Sequence, residues 1–371
     1  MKKLALLIVI VMLVLPSAVM AGGKGETLKD VLGKYFLIGT ALNVPQTDGR
    51  DIKGADVAKN NFNAIVAENC MKGEVVQPVE GRFNWTDADK LVEFGEKNGM
   101  AITGHCLVWH SQAPRWMFKD SLGNKVSREV LIARMHKHIA TVVGHYKGKI
   151  KGWDVVNEAI EDDGTFRHTP YYDIIGPEYI DLAFQYAAEA DPNAELYYND
   201  FSMAKPAKRA AVCRLVRHLK NIGCRIDAVG MQSHNGLEYP DLTDYEASID
   251  SFAACGVKVM FTELDLNILP NPEHFGGAEI HQNYQYDKKY NPYPDGLDKA
   301  MTKKFEDRYL EFFRIYRQHA SQISRVTLWG VADGNSWLNN WPIHGRSNYP
   351  LLFDRDYKAK PVIKKIINLF K

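Results

Sequence analysis

Short apolar, β-branched runs alternate with amphipathic segments along almost the whole chain, and this alternation limits the fold more than any other feature. The runs cover residues 35–39, 63–66, 101–103, 150–156, 195–198, 226–231, 257–261 and 326–329. Continuous apolar runs of this length are expected of strands buried on both faces, as in a parallel sheet. The intervening segments read as helices. Thr86 with Asp89 opens one, and Asn98-Gly99 closes it. Pro206 stands in the first turn of another, which Gly223 ends. Thr243 with Glu246 has the spacing of a capping box. Phe305, Tyr309, Phe312 and Tyr316 form an apolar stripe better explained by core packing than by a cofactor site. Eight βα units at this length predict an α/β fold, a single-domain (β/α)8 TIM barrel with insertions. A doubly wound open sheet is the alternative. No Gly/Ser-rich linker or low-complexity tract marks a second domain.

Composition narrows the function classes. The chain has 371 residues and a net charge of +1, so it lacks the basic stripe expected of a nucleic-acid binder. Lys2-Lys3, the apolar run of residues 4–15 and the small residues ending at Ala21 read as a cleavable signal peptide over residues 1–21. A membrane anchor is the competing reading, but the run is short for a span. The mature domain, residues 22–371, is then expected to be exported, periplasmic or extracellular, and free of the membrane. The five cysteines are odd in number and show no zinc spacing. Packed free thiols are favoured, while a Cys224–Cys255 bridge stays open. His105 and His110 lack metal-ligand spacing and His136 and His138 diverge on a helix, so no metal or other cofactor is expected.

Glu158 and Glu263 carry the chemical argument. Each stands where an apolar strand-like run ends. A carboxylate is costly to bury there unless it has a function, and the C-terminal strand ends of such a barrel converge on its active face. Two acids at that face suggest glycoside hydrolysis, which needs a proton donor and a second carboxylate. The competing reading is a pair of structural, salt-bridged acids. Other polar and aromatic residues gather at the same ends: Glu68, Asn69 and Lys72; His105, Trp109, His110 and Gln112; Asn157; Tyr198-Asn199-Asp200; Gln232-Ser233-His234; Asp265; and Trp329, Asp333 and Trp337. Aromatic faces among amides and carboxylates suit a sugar, whose C–H faces stack and whose hydroxyls need fixed partners.

Several blocks resemble the endo-β-1,4-xylanases of glycoside hydrolase family ten. They are Gly104-His105-Cys106-Leu107-Val108-Trp109-His110-Ser111-Gln112, Trp153-Asp154-Val155-Val156-Asn157-Glu158, Gln232-Ser233-His234, Phe261-Thr262-Glu263-Leu264-Asp265 and Trp329-Gly330-Val331-Ala332-Asp333-Gly334-Asn335-Ser336-Trp337. The resemblance runs in order through nearly all of the mature chain. It implies a barrel that cuts xylan with retention, Glu158 as acid/base and Glu263 as nucleophile. It also implies that His234 and Asp265 orient the nucleophile, and that Asn157 holds a sugar hydroxyl. Glu68, Asn69, Lys72, His105, Trp109, Gln232, Trp329 and Trp337 match glycone-side binding positions, and Tyr198 is expected to border the aglycone side. Xylan and xylo-oligosaccharides are the implied partners, and the family is mostly monomeric. Cys70 and Cys106 depart from the family pattern, and residues 266–297 form a longer tyrosine-containing loop than usual. That loop is expected to extend the cleft toward long or decorated chains.

Overall fold

The computed structural model describes residues 26–371. The leader expected over residues 1–21 lies outside them. Nine strands form one parallel sheet: β1 Leu37–Leu42, β2 Ala64–Ala67, β3 Ala101–Val108, β4 Gly152–Asn157, β5 Glu195–Asp200, β6 Ala228–Met231, β7 His234–Gly236, β8 Lys258–Asn267 and β9 Ile323–Leu328. Neighbours run β6-β5-β4-β3-β2-β1-β9-β8, and β6 also pairs with β8, which closes an eight-stranded barrel. The open-sheet alternative is thereby excluded. β7 is a short addition, with His234 opposite Asp265 on β8.

Every strand is buried or nearly so along its length, as its apolar sequence requires. Aromatic side chains pack against both faces of the barrel wall, Tyr197 inside and Trp153 beneath the helices, and neighbouring strands need glycine to admit them. A Cβ on Gly104 of β3 would lie 2.0 Å from the Trp153 ring. The expected helices form. Helix Pro206–Asn221 has its proline in the first turn, and the stripe from Phe305 to Tyr316 is the buried face of helix Lys299–Gln318. The capping box expected at Thr243 is not the helix start. Helix Leu242–Ala254 is capped by Asp241, whose side chain accepts from the Asp244 amide.

Two strands run further than their apolar cores suggest. β3 continues through His105 to Val108, so His105 is a strand residue and not a loop residue. β8 continues past Glu263 to Asn267. All five cysteines are free and buried. The Cys255 thiol faces the Cys213 carbonyl and the Cys224 thiol faces the Asp181 carbonyl, so the Cys224–Cys255 bridge is not made.

Candidate active site

The strands deliver the two acids to one network. Glu158 follows β4 directly, is 4% exposed, and has φ +59°. A non-glycine residue in that left-handed region needs support from its surroundings, and β5 provides it. The Glu158 amide donates to the Asn199 carbonyl at 2.9 Å. The Ala159 amide donates to the Tyr198 hydroxyl at 3.1 Å, and that hydroxyl donates to Asp200 Oδ2 at 2.5 Å. A buried Lys208 ammonium 2.7 Å from Asp200 Oδ1 completes the buttress. The Glu158 side chain is thereby held in the mouth.

Among the described residues, N–H donors meet the Glu158 carboxyl, Asn157 Nδ2 among them at 3.3 Å from Oε1. Trp109 Nε1 donates to Oε2 at 2.8 Å, and Gln232 Nε2 donates to Oε1 at 2.9 Å. Burial, with the Asp200 charge and then that of Glu263 adding to it, outweighs these donors and pushes the Glu158 carboxyl up to about 7. Gln232 Nε2 also reaches Asn157 Oδ1 at 3.3 Å. Asn199 Nδ2 then bridges Asn157 Oδ1 and Glu263 Oε1, both at 2.9 Å. The two acids therefore stand at opposite ends of one short chain of amides.

Glu263 is equally buried, yet its pKa moves the other way. Burial is the largest single influence and would raise it. The hydrogen bond and charge of His234, the charge of His105 and the Asn199 amide together bring it below its usual value. His234 Nε2 lies 3.2 Å from Glu263 Oε2, and its Nδ1 lies 3.1 Å from Asp265 Oδ2. Burial would favour the neutral imidazole, but Asp265 and then Glu263 overcome it and hold His234 up at about 10, cationic near neutrality. Asp265 is itself held by Trp337 Nε1 at 2.8 Å.

The remaining expected residues fall around this pair. His105 bonds Asp154 at 2.9 Å and meets the Trp329 ring edge-on. Lys72 donates to Asn69 at 3.1 Å and to Gln112 at 2.7 Å, with its ammonium 4.9 Å from the Trp109 ring centre. Glu68 accepts from Asn43 at 2.5 Å, and burial lifts it to about 7 as well. Trp337 stacks on Trp341 at 4.2 Å.

Tyr198 is the exception. It is fully buried, with its hydroxyl committed to Asp200 and Ala159, and it has no face free for a sugar. It buttresses the Glu158 turn instead. Successive side chains of a strand point to opposite sides. On β5, Tyr197 points into the barrel and Tyr198 into the layer beneath the helices, which leaves Asn199 pointing inward. Asn199 is a site residue that the sequence placed at a strand end without a role, and strict alternation from Tyr197 was the signal that could have aimed it at the acids.

Comparison with known proteins agrees with this geometry. A family model described as Glycosyl hydrolase family 10 matches residues 27–369. Endo-1,4-beta-xylanase A of Xylanibacter ruminicola is 61% identical over 360 residues, which cover 97% of this chain and 97% of that protein. The endo-1,4-beta-xylanase of Geobacillus stearothermophilus is 37% identical over 345 residues, covering 92% of this chain and 98% of the other. A family 10 endoxylanase from a sugarcane soil metagenome superposes with a TM-score of 0.89 at 43% identity, covering 92% of this chain and 99% of that one. Xylanase XynB from Paenibacillus barcinonensis, solved with a conduramine derivative, superposes with a TM-score of 0.83 at 35% identity, covering 92% and 98%. The chain belongs to glycosyl hydrolase family 10.

Proposed function

We propose that this glycoside hydrolase is a retaining endo-1,4-β-xylanase, with Glu158 as acid/base and Glu263 as nucleophile. The observation that carries the assignment is the opposite proton affinity of two equally buried carboxyls joined by one amide network. Glu158 keeps its proton to about 7, whereas Glu263 is held below the usual carboxylate range by cationic His234. One acid is thus ready to give a proton and the other to attack, a division of labour that environment alone can create.

Glu263 attacks the anomeric carbon while Glu158 protonates the leaving glycosidic oxygen. The carboxyl separation expected for this outcome is roughly 5–5.5 Å. Glu158, now ionised, takes a proton from water, which releases the glycosyl-enzyme and restores both groups. Asn157 and Asn199 meet beside Glu263, where they can hold the hydroxyl neighbouring the reacting carbon. The xylan preference rests on the names of the relatives and on Trp337, whose stack on Trp341 and bond to Asp265 fix it beside His234. A rigid indole there leaves little room for a hexose hydroxymethyl. Export behind the leader of residues 1–21 completes the proposal.

The test is reducing-sugar release from soluble β-1,4-xylan and from carboxymethyl-cellulose by the mature chain, beside Glu263→Ala and Glu158→Ala. Xylan hydrolysis lost in Glu263→Ala, and partly restored by azide in Glu158→Ala, supports the assignment. A folded wild-type protein that releases nothing from xylan refutes it.

A further inference from the structure

Residues 268–298 connect β8 to helix Lys299–Gln318, and Gly277 among them lies beside Phe201 and Ser202, which follow β5. β3 lies directly opposite β8 in the closed barrel. The segment nevertheless reaches the turns after β3 and β4. His281 Nε2 lies 3.1 Å from the buried Ser111 Oγ. Glu279 Oε2 accepts from Arg167 Nη1 at 2.8 Å.

On the other wall, the Phe275 and Trp341 rings are 5.7 Å apart and the Tyr284 amide donates to the Pro342 carbonyl at 2.9 Å. His281 and Tyr284 are three residues apart, a reach of at most about 11 Å of extended chain. The segment therefore bridges the cleft from wall to wall. Its crossing is braced internally: the Gln282 side chain accepts from the Gly276 amide at 2.8 Å and donates to the Gly277 and Glu279 carbonyls at 3.1 and 3.0 Å. Beneath it lies a cavity of about 430 Å³, bounded by Phe201, Ser202, His234, Tyr239 and Phe275.

The cavity is large enough for a small ligand, and His234 lines it. The loop that was expected to lengthen the cleft thus crosses it, tied to both walls. An internal stretch of polysaccharide cannot pass beneath a strap anchored on both walls unless one anchor lets go, whereas a short oligosaccharide can enter from an end.

We propose that the Arg167–Glu279 ion pair and the Ser111–His281 hydrogen bond form a latch that holds this strap across the cleft and makes the enzyme select by chain length, favouring short β-1,4-xylo-oligosaccharides over polymeric xylan. The proposal rests on the xylanase reading above. Arg167 and Glu279 side chains are 13% and 26% exposed, so salt screens the pair only in part, and Arg167 keeps Glu161 at 3.3 Å as a second partner when Glu279 lets go.

The experiment compares kcat/KM on soluble polymeric xylan with kcat/KM on xylotriose. It uses the wild type, Glu279→Gln and His281→Ala, and Lys288→Ala as a control elsewhere on the strap, at low and high salt. The ratio of polymer to trimer is expected to rise roughly 2- to 5-fold in each latch variant, the scale set by one partly exposed polar pair, and to stay level in the control. Added salt is expected to raise the ratio in the wild type but not in Glu279→Gln. Amide hydrogen exchange over residues 276–282 is expected to quicken in Glu279→Gln, a readout independent of turnover. An unchanged ratio in both latch variants overturns the latch, whether or not exchange quickens. Unchanged exchange in Glu279→Gln overturns it too. A folded wild type that cleaves neither substrate refutes the xylanase reading, and the latch falls with it.

Discussion

Trp109→Phe separates the acidity of Glu158 from its position. Glu158 holds its proton to about 7 against an ordinary value of 4.5, a displacement worth about 3 kcal/mol. Burial and Asp200 drive it upward, while the donors on Gln232 and Trp109 pull against them. The Trp109 N–H meets Oε2 at 2.8 Å. A hydrogen bond to a charged acceptor is worth about 1.5–3 kcal/mol and one to a neutral acceptor about 0.5–1.5. Removing this donor therefore costs the ionised form about 1 kcal/mol more than the protonated form, a little under one pH unit. Phenylalanine keeps an aromatic ring at the position and loses the N–H. The alkaline limb of kcat/KM is then expected near 7 in the wild type and near 8 in the variant.

The assay is the pH profile of kcat/KM on an unactivated xylo-oligosaccharide, whose leaving group needs the proton. An aryl xylobioside with a good leaving group serves as the internal control, because its limb depends little on proton donation. Glu68 is also lifted to about 7 and accepts from Asn43, so Asn43→Leu distinguishes the two acids. A limb that moves with Asn43→Leu but not with Trp109→Phe belongs to Glu68. A limb that stays still or shifts to lower pH in Trp109→Phe refutes the reasoning.

Three further outcomes follow from the same contacts. His234→Asn removes the cation that keeps Glu263 ionised, so the acid limb of the profile should climb. His234 is raised from 6.5 to about 10, so its stabilising contribution is complete below 6.5 and is lost as pH rises through about 10. Denaturant midpoints should therefore show the larger cost of His234→Asn near pH 6 and the smaller near pH 10. Tyr198→Phe should lower stability by about 1–3 kcal/mol, because the Ala159 amide and Asp200 lose a buried partner. Its KM for xylan should not change, and a raised KM would restore Tyr198 to the sugar-binding surface. Gly104→Ala drives a methyl into the Trp153 ring at 2.0 Å and should cost about 1–3 kcal/mol or more by thermal denaturation.

Much of the site was legible because its cues are local. A strand buried on both faces shows as an apolar run, and the polar residue where that run stops shows as an anomaly. Glu158, Glu263, His234, Asp265 and Trp109 were found in this way. Tyr198 was given a sugar-facing role, and its neighbour Asn199 none, for an equally local reason: proximity to a strand end was weighed without following which residues alternate inward. The reach of β8 past Glu263 was not visible because Leu264 to Asn267 mixes polar and apolar residues. Leu264 stays in the strand through Leu328 of β9, and Asp265 to Asn267 through β7.

The sequence by itself determined that the chain alternates β and α, that the strands are buried on both faces, and that acids and aromatics collect at their ends. These properties depend on residues within a few positions of one another. Only the tertiary structure decided which acid keeps its proton. Glu158 and Glu263 both follow or end apolar runs, and their acidities differ because the Asp200 charge adds to burial at one, against the Gln232 and Trp109 donors, while His234, His105 and Asn199 overcome burial at the other. The same holds for the strap. Glu279 reaches Arg167 across 112 positions of sequence and His281 reaches Ser111 across 170. Electrostatics and enclosure are set by neighbours in space, and barrel closure makes neighbours of residues that no local pattern connects.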